Sequence, residues 1–232
     1  MKKILICGAS KNLGYYFFNQ FKKFNDIYLF SRNNVNHKNF FKTDISNKNE
    51  INDTFKKLKE KISNLDVIIY CVGDSKKNYS KFATGLDFEN SFTNNFYPFV
   101  NLLNSYLKFF KYNPINIIVI SSIAGLKNVG APITYSVAKS ALNFYCSIMA
   151  KKLAEKNITI NIISPGNILI KGNNWDKKLK KNKRNVKDYI NHNVPNKKFC
   201  KPEDLFNICK LIIEVDNGFV GSNIVIDGGQ IL

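Results

Sequence analysis

Short runs of consecutive apolar residues recur along the chain, separated by longer stretches in which apolar positions return every three or four residues. Segments 3–7, 66–72 and 115–121 are apolar at nearly every position, and 27–30 is a shorter run of the same kind. Such runs predict strands covered on both faces, because a half-exposed strand would alternate. A weak strand pattern lies at 40–43, and further strands are predicted at 159–163 and 223–226. Between them, 13–24 places Phe17, Phe18 and Phe21 at helical spacing, and 48–62 is lysine-rich and amphipathic. A long aromatic helix is predicted over 88–112, another over 135–156 and a last one over 202–213. Strands alternating with helices from end to end predict an α/β fold, a doubly wound parallel sheet of about seven strands with helices on both faces. No repeat or Pro/Gly/Ser-rich linker interrupts the rhythm, so 1–232 is expected to be a single domain. The exception is 171–198, which carries one proline, the lone Trp175 and the run Lys177-Lys178-Leu179-Lys180-Lys181-Asn182-Lys183-Arg184. It is too polar for the core and is expected to be an inserted excursion, a basic lid.

Composition narrows the picture. With 232 residues, 44% of them apolar and 13% aromatic, the chain can build one sizeable core, and general disorder is excluded. No apolar run is long enough to span a bilayer, so no membrane role is expected. The opening Met1-Lys2-Lys3-Ile4-Leu5-Ile6-Cys7-Gly8 is too short for a secretory signal and suits a first strand, which points to the cytoplasm. Thirty-five basic residues against 17 acidic ones give a net charge of +18, the usual footprint of a nucleic-acid partner. Yet 33 of the 35 are lysine, and only Arg32 and Arg184 offer the planar guanidinium that grips base edges. With 34 asparagines and 28 isoleucines, the excess fits AT-rich codon usage, and nucleic acid is not expected as a partner. The cysteines (Cys7, Cys71, Cys146, Cys200, Cys209) form no C-x-x-C pair and lie far in sequence from His37 and His192, so neither a disulfide framework nor a metal site is expected.

The first strand runs into Gly8-Ala9-Ser10-Lys11-Asn12-Leu13-Gly14, which opens the first helix. Gly8 permits the sharp turn, Gly14 close helix–strand packing, and the amides of the helix start can hold a phosphate. Asn12 stands where a third glycine is common, and asparagine tolerates the left-handed backbone better than most residues. An ordinary strand–helix turn would look similar. At the end of the second strand Ser31-Arg32 offers no acid for the ribose 2′-hydroxyl of NAD. Arg32, with Lys11, suits the 2′-phosphate of NADP instead. A solvated surface arginine is the alternative. NADP(H) is therefore the expected cofactor of a Rossmann-type fold, with NAD(H) second.

Tyr135 and Lys139 are four residues apart and share one helical face, and Ser122 lies at the end of the 115–121 strand. A phenol with an ordinary pKa near 10 exchanges protons at pH 7 only if a cation stabilises its anion, which Lys139 can do. A tyrosine–lysine pair is also common on plain helix surfaces. In context the chain resembles the short-chain dehydrogenase/reductase family. The resemblance runs through the glycine turn, Thr43-Asp44-Ile45, the strand ending Tyr70-Cys71-Val72-Gly73, and Asn95-Phe96-Tyr97-Pro98. It continues through Ile120-Ser121-Ser122 followed by Tyr135-Ser136-Val137-Ala138-Lys139, Ser164-Pro165-Gly166, Pro202-Glu203-Asp204 and Asp227-Gly228-Gly229.

The resemblance implies that Tyr135 is the general acid and Lys139 lowers its pKa and holds the nicotinamide ribose. Ser122 positions the substrate carbonyl and Asn95 supports a water-mediated proton relay. Hydride comes from the nicotinamide. Gly8, Ser10, Lys11, Asn12, Leu13, Gly14, Arg32, Asp44, Ile45, Cys71, Gly73, Pro165, Gly166 and Ile168 complete the cofactor site. Three positions depart from the family pattern: Asn12 for a glycine, Tyr70-Cys71-Val72 for Asn-Asn-Ala, and Ile170 for a threonine. The implied activity is reduction of a small-molecule ketone or aldehyde, either a 3-oxoacyl chain on acyl carrier protein or a keto-sugar. Trp175 is expected to wall the substrate pocket, and the lid lysines to face acid groups on a substrate or carrier. A solvated charge run is the alternative for the lid. The resemblance also implies a homodimer or homotetramer built on the two long helices. A non-catalytic cofactor-binding regulator on the same fold is the competing function, opposed by the intact Ser122, Tyr135, Lys139 and Asn95 set.

Overall fold

A computed structural model describes residues 1–75, 82–215 and 218–232. Its elements are β1 (Lys3–Cys7), α1 (Asn12–Phe21), β2 (Asp26–Ser31), β3 (Phe40–Lys42), α2 (Lys48–Lys61), β4 (Val67–Tyr70), α3 (Gly85–Asn95), α4 (Tyr97–Phe110), β5 (Ile115–Ile120), α5 (Ile133–Leu153), β6 (Ile158–Pro165), α6 (Asn174–Lys181), α7 (Lys183–Asn193), α8 (Pro202–Glu214) and β7 (Asn223–Ile226). The seven strands form one sheet in the order β3-β2-β1-β4-β5-β6-β7, and every pairing is parallel. All strands therefore end on the same edge. The chain moves outward from β1 to β3, then crosses back to β4, so the order reverses between β1 and β4. Ligands of open α/β sheets bind in the crevice at such a reversal, beyond the carboxyl ends of the strands.

Both sheet faces are covered, as the unbroken apolar runs require. On one face, α2, α4 and α5 bury Ile51, Phe55, Phe99, Leu102, Tyr106, Leu142 and Cys146 against Leu5, Ile68, Ile117 and Ile160. On the other, α1 and α8 bury Phe17, Phe18, Phe21, Leu205, Cys209 and Ile212 against Ile4, Ile6, Ile69 and Ile118. Side chains of this size each contribute about 1.5–3 kcal/mol when removed from water. Cys7, Cys146, Cys200 and Cys209 are buried small residues, and Cys71 is half-buried. Among the described residues no helix is long and apolar enough to cross a membrane.

Two elements differ from the sequence expectation. The helix predicted over 88–112 is two helices, α3 and α4, broken at Phe96. Pro98 supplies the reason: it has no N–H to give the carbonyl of Asn94 and disfavours helical backbone at the residue before it. The amide of Phe99 turns to the carbonyl of Phe96 at 3.1 Å, and Phe96 caps both helices. The aromatic spacing continued across the break and concealed it. The polar lid is not a bare loop either. It folds into α6 and α7, each started by an asparagine whose side chain accepts an amide hydrogen bond (Asn173 from Asp176, Asn182 from Asn185). Val186, Val194 and Phe199 are buried there with Trp175, Leu179, Tyr189 and Ile190 packed around them, a miniature core separate from the two main layers.

Candidate active site

The glycine turn sits at the carboxyl end of β1, on the crevice. Gly8 holds φ +84° and its amide is fixed to the carbonyl of Phe30 at 2.9 Å. Asn12 takes φ +50°, the left-handed conformation anticipated for it. A side chain on Gly14 would run into the backbone carbonyl of Gly8, so helix and strand meet only because that position is glycine. The start of α1 has no side-chain cap and no acid in its first turn, leaving its amides aimed at the crevice.

One cleft gathers most of the expected cofactor residues: Gly8, Ser10, Lys11, Asn12, Leu13 and Gly14 from the turn, Arg32, Asp44 and Ile45 opposite, and Cys71 and Gly73 from the end of β4. Arg32 Nη1 lies 3.8 Å from Asp44 Oδ2, with its side chain 68% exposed. Asp44 is itself held in place, accepting from the amide of Ser46 at 3.0 Å and its hydroxyl at 2.7 Å. The cleft also takes in Asn33, Asp74, Asn94 and Pro98, which sequence reasoning missed. Asn33 and Asp74 directly follow residues that were identified, and that adjacency was the available signal.

The Ser, Tyr and Lys residues converge beside this cleft. Ser122 follows β5 and caps a short turn, Ile123–Gly125, by accepting the amide of Ala124 at 3.1 Å. Tyr135 lies in the first turns of α5, with its phenol close enough to the Ser122 hydroxyl for the two to interact. Lys139 is 2% exposed; its Nζ donates to the carbonyl of Ile120 at 3.4 Å and lies 5.9 Å from the centre of the Tyr135 ring. Gly73 is the hinge between cleft and residues: a Cβ there would stand 3.0 Å from Lys139 Nζ and 3.1 Å from Asn95 Oδ1. Asn95, 1% exposed, clamps the next residue from both sides, accepting the Asp74 amide at 2.8 Å and donating to the Asp74 carbonyl at 3.0 Å. Its remaining N–H reaches the carbonyl of Ser91 at 3.0 Å. The side chain of Asn95 is thus fully engaged. Its backbone carbonyl lies at the helix break, where the amide one turn ahead, that of Phe99, has turned to Phe96.

Burial dominates the electrostatics. It pushes the Tyr135 phenol up, although the residue is only half-buried; the Ser122 hydroxyl opposes the rise and the nearby Asp74 adds to it. Lys139 does not draw the phenol below its ordinary value here. It is itself desolvated, and burial brings its ammonium down to about 8. The protonated phenol and a charged lysine therefore coexist at neutral pH, the pairing a proton donor requires.

The remaining expected residues lie further along the same sheet edge, outside the cleft lining. Pro165 ends β6 and the Gly166 amide bonds to the carbonyl of Ile226 at 2.8 Å. Ile168 forms an isolated parallel bridge with Cys200. Trp175 is packed inside the lid core, and its indole N–H donates to Asn167 Oδ1 at 2.9 Å. Asn167 in turn donates to Tyr189 Oη at 3.1 Å and Gln230 Oε1 at 2.8 Å, tying the lid to the end of the chain.

Comparison with known proteins agrees with this layout. The profile of a family described as enoyl-(acyl carrier protein) reductase matches residues 30–230. A 3-oxoacyl-[acyl-carrier-protein] reductase FabG from Buchnera aphidicola is 29% identical over 197 residues, covering 82% of this chain and 76% of the relative. An acetoacetyl-CoA reductase from Cupriavidus necator is 27% identical over 177 residues, covering 75% and 70%. Among solved structures, ElxO with NADP bound superposes with a TM-score of 0.87 at 24% identity, covering 99% of both chains. A 4-hydroxyisoleucine dehydrogenase complexed with NADH gives 0.85 at 25% identity, covering 100% of this chain and 99% of the other.

Proposed function

The chain belongs to the short-chain dehydrogenase/reductase family, and from that premise we propose that it is an NADPH-dependent reductase of a ketone or aldehyde with Tyr135 as its general acid. The observation that carries the proposal is the convergence of Ser122, Tyr135 and Lys139 beside a cleft whose glycines leave no room for side chains. That cradle fits a dinucleotide. A phosphate would rest on the uncapped amides of α1 and on Ser10, Asn12 and Leu13. Lys11 and Arg32 would take the 2′-phosphate, and Asp44 and Ile45 the adenine. Cys71 and Gly73 would line the passage to Tyr135 and Lys139 at the inner ribose, with Pro165, Gly166 and Ile168 at the nicotinamide end. NADPH bound there would supply the hydride for the carbonyl carbon.

The protein's own residues handle the proton. Ser122 Oγ and Tyr135 Oη, neighbours beside the cleft, form a two-point seat for the substrate oxygen. Tyr135 gives its phenolic proton to that oxygen as it becomes a hydroxyl. The Lys139 ammonium, charged at neutral pH, stabilises the phenolate left behind. The backbone carbonyl of Asn95, freed at the helix break, is the group suited to hold a water that returns a proton toward Lys139.

Leu126 (40% exposed), Ile133 (62%) and Leu169 (39%) emerge at the same sheet edge as Ser122, Tyr135 and Lys139, and such residues suit a chain with an apolar stretch. Two relatives named for 3-oxoacyl or acetoacetyl substrates favour an acyl thioester over a keto-sugar. Trp175 shapes the mouth through the lid that it holds together. A stripe of exposed apolar residues on α5, including Val137, Phe144 and Ile148, suits pairing with a second copy into a homodimer or homotetramer. Tyr135→Phe tests the mechanism. Turnover of acetoacetyl thioesters should fall at least a thousandfold while NADPH affinity, read by fluorescence titration, stays within twofold; a fully active variant would overturn it.

A further inference from the structure

Residues 171–198 hold ten basic side chains against Asp176 and Asp188, so a segment of 28 residues carries +8 of the chain's +18. All ten are exposed. Among them, Lys180 is paired with Asp176 at 2.7 Å and Lys178 lies 4.1 Å over the Trp175 ring. Seven of the ten ride on a platform of the folded helices α6 and α7, not on a bare loop. Asparagine caps start both helices, the miniature core around Val186 and Phe199 holds them together, and the Trp175–Asn167–Gln230 chain anchors them to the main body. The platform leaves the sheet after β6, on the edge where Ser122 and Tyr135 lie.

We propose that the exposed surface of α6 and α7 is a docking surface for an acidic carrier protein that presents the keto group of its tethered acyl chain to Tyr135, the thioester remaining intact. This rests on the acyl-thioester reading above. A free thioester offers at most a few anionic groups, fewer than the platform can neutralise, whereas the acidic face of a small protein can meet several of these charges at once. Nine of the ten charges are lysines, point charges without the fork that reads bases or clamps phosphates, which favours carboxylates over nucleic acid.

The test reverses four charges that have no structural partner role assigned above: Lys177→Glu, Lys183→Glu, Arg184→Glu and Lys187→Glu together. All four lie in the amino-terminal halves of their helices, where glutamate complements the helix dipole, and circular dichroism confirms folding. Rates are measured on acetoacetyl-acyl carrier protein and on the same acyl group as a short N-acetylcysteamine thioester. The expected result is a loss of at least tenfold in kcat/KM on the carrier substrate, carried by KM, with the short thioester within twofold. The wild type should also lose carrier activity steeply with salt while the short thioester does not. Equal rates for variant and wild type on the carrier substrate, or equal losses on both substrates, would overturn the proposal. If neither substrate is turned over, the acyl-thioester reading fails by itself. Titration with apo acyl carrier protein then still decides the surface, with binding lost in the variant supporting it and no wild-type binding overturning it. Tighter wild-type binding to single-stranded RNA than to the carrier would assign the surface to nucleic acid instead.

Discussion

Replacing Lys139 by methionine should stabilise the folded protein while removing its activity. Lys139 is 2% exposed, and burial lowers its ammonium from an ordinary 10.5 to about 8. The fall from 10.5 to about 8 corresponds to roughly 3 kcal/mol of differential free energy between the charged and neutral forms. The sign follows from proton counting. Between about pH 8 and 10.5 the unfolded chain binds more protons than the folded one, so folding stability rises with pH across that window. Below pH 8 the folded state carries the full cost of a buried ammonium, and above about 10.5 it carries none. Methionine keeps the length of the apolar stem and removes the charge. Its loss of the 3.4 Å bond to the Ile120 carbonyl subtracts about 1 kcal/mol. The net gain at pH 7 is about 2 kcal/mol, roughly 4–8 °C in Tm for a chain of this size. Urea unfolding of both proteins at pH 7 and pH 10.5 isolates the effect, since every other titrating group is shared. The difference should be present at pH 7 and shrink to about zero or below at pH 10.5. A methionine variant less stable than wild type at pH 7, or a difference independent of pH, would refute the assignment of desolvation as the dominant cause.

Arg32→Asp should weaken NADPH binding about tenfold to a hundredfold, the range for losing charge-assisted hydrogen bonds, while changing NADH binding far less. Its ion pair with Asp44 is exposed, so stability should move by less than about 1 kcal/mol; equal loss for both cofactors would show that Arg32 does not read the 2′-phosphate. Gly73→Ala places a methyl 3.0 Å from Lys139 Nζ and 3.1 Å from Asn95 Oδ1, and should lower kcat roughly tenfold to a hundredfold by displacing both. Steady-state kinetics beside circular dichroism checks it, and unchanged kcat would show that the two side chains yield without consequence.

Much of this layout is visible in the chain before any coordinates. Strands such as Ile115–Ile120 announce themselves because a parallel sheet covered on both faces leaves no polar positions to blur the run. Tyr135 and Lys139 are legible because helical spacing alone puts them on one face, and Asn12 because its backbone preference matches φ +50°. What escaped notice is tertiary. The break at Phe96 depends on Pro98 overriding an aromatic pattern that runs straight through it. The Asn95–Asp74 clamp joins residues 21 apart, and beyond its place after Gly73 nothing in the sequence ties Asp74 to Asn95. The lid helices were hidden because Trp175, Leu179, Val186, Tyr189 and Val194 are sparse among lysines, too few to signal a core until they meet each other. The phenol's upward displacement likewise depends on how much protein surrounds it, which no motif states.

The lid's miniature core shares no buried residue with the two layers against the sheet, although asparagine and glutamine bonds fasten it in place. That separation lets substitutions on α6 and α7 accumulate without disturbing the packing that holds the catalytic residues in register. A lineage of such proteins could exchange this cassette for another and keep the same proton chemistry beneath it.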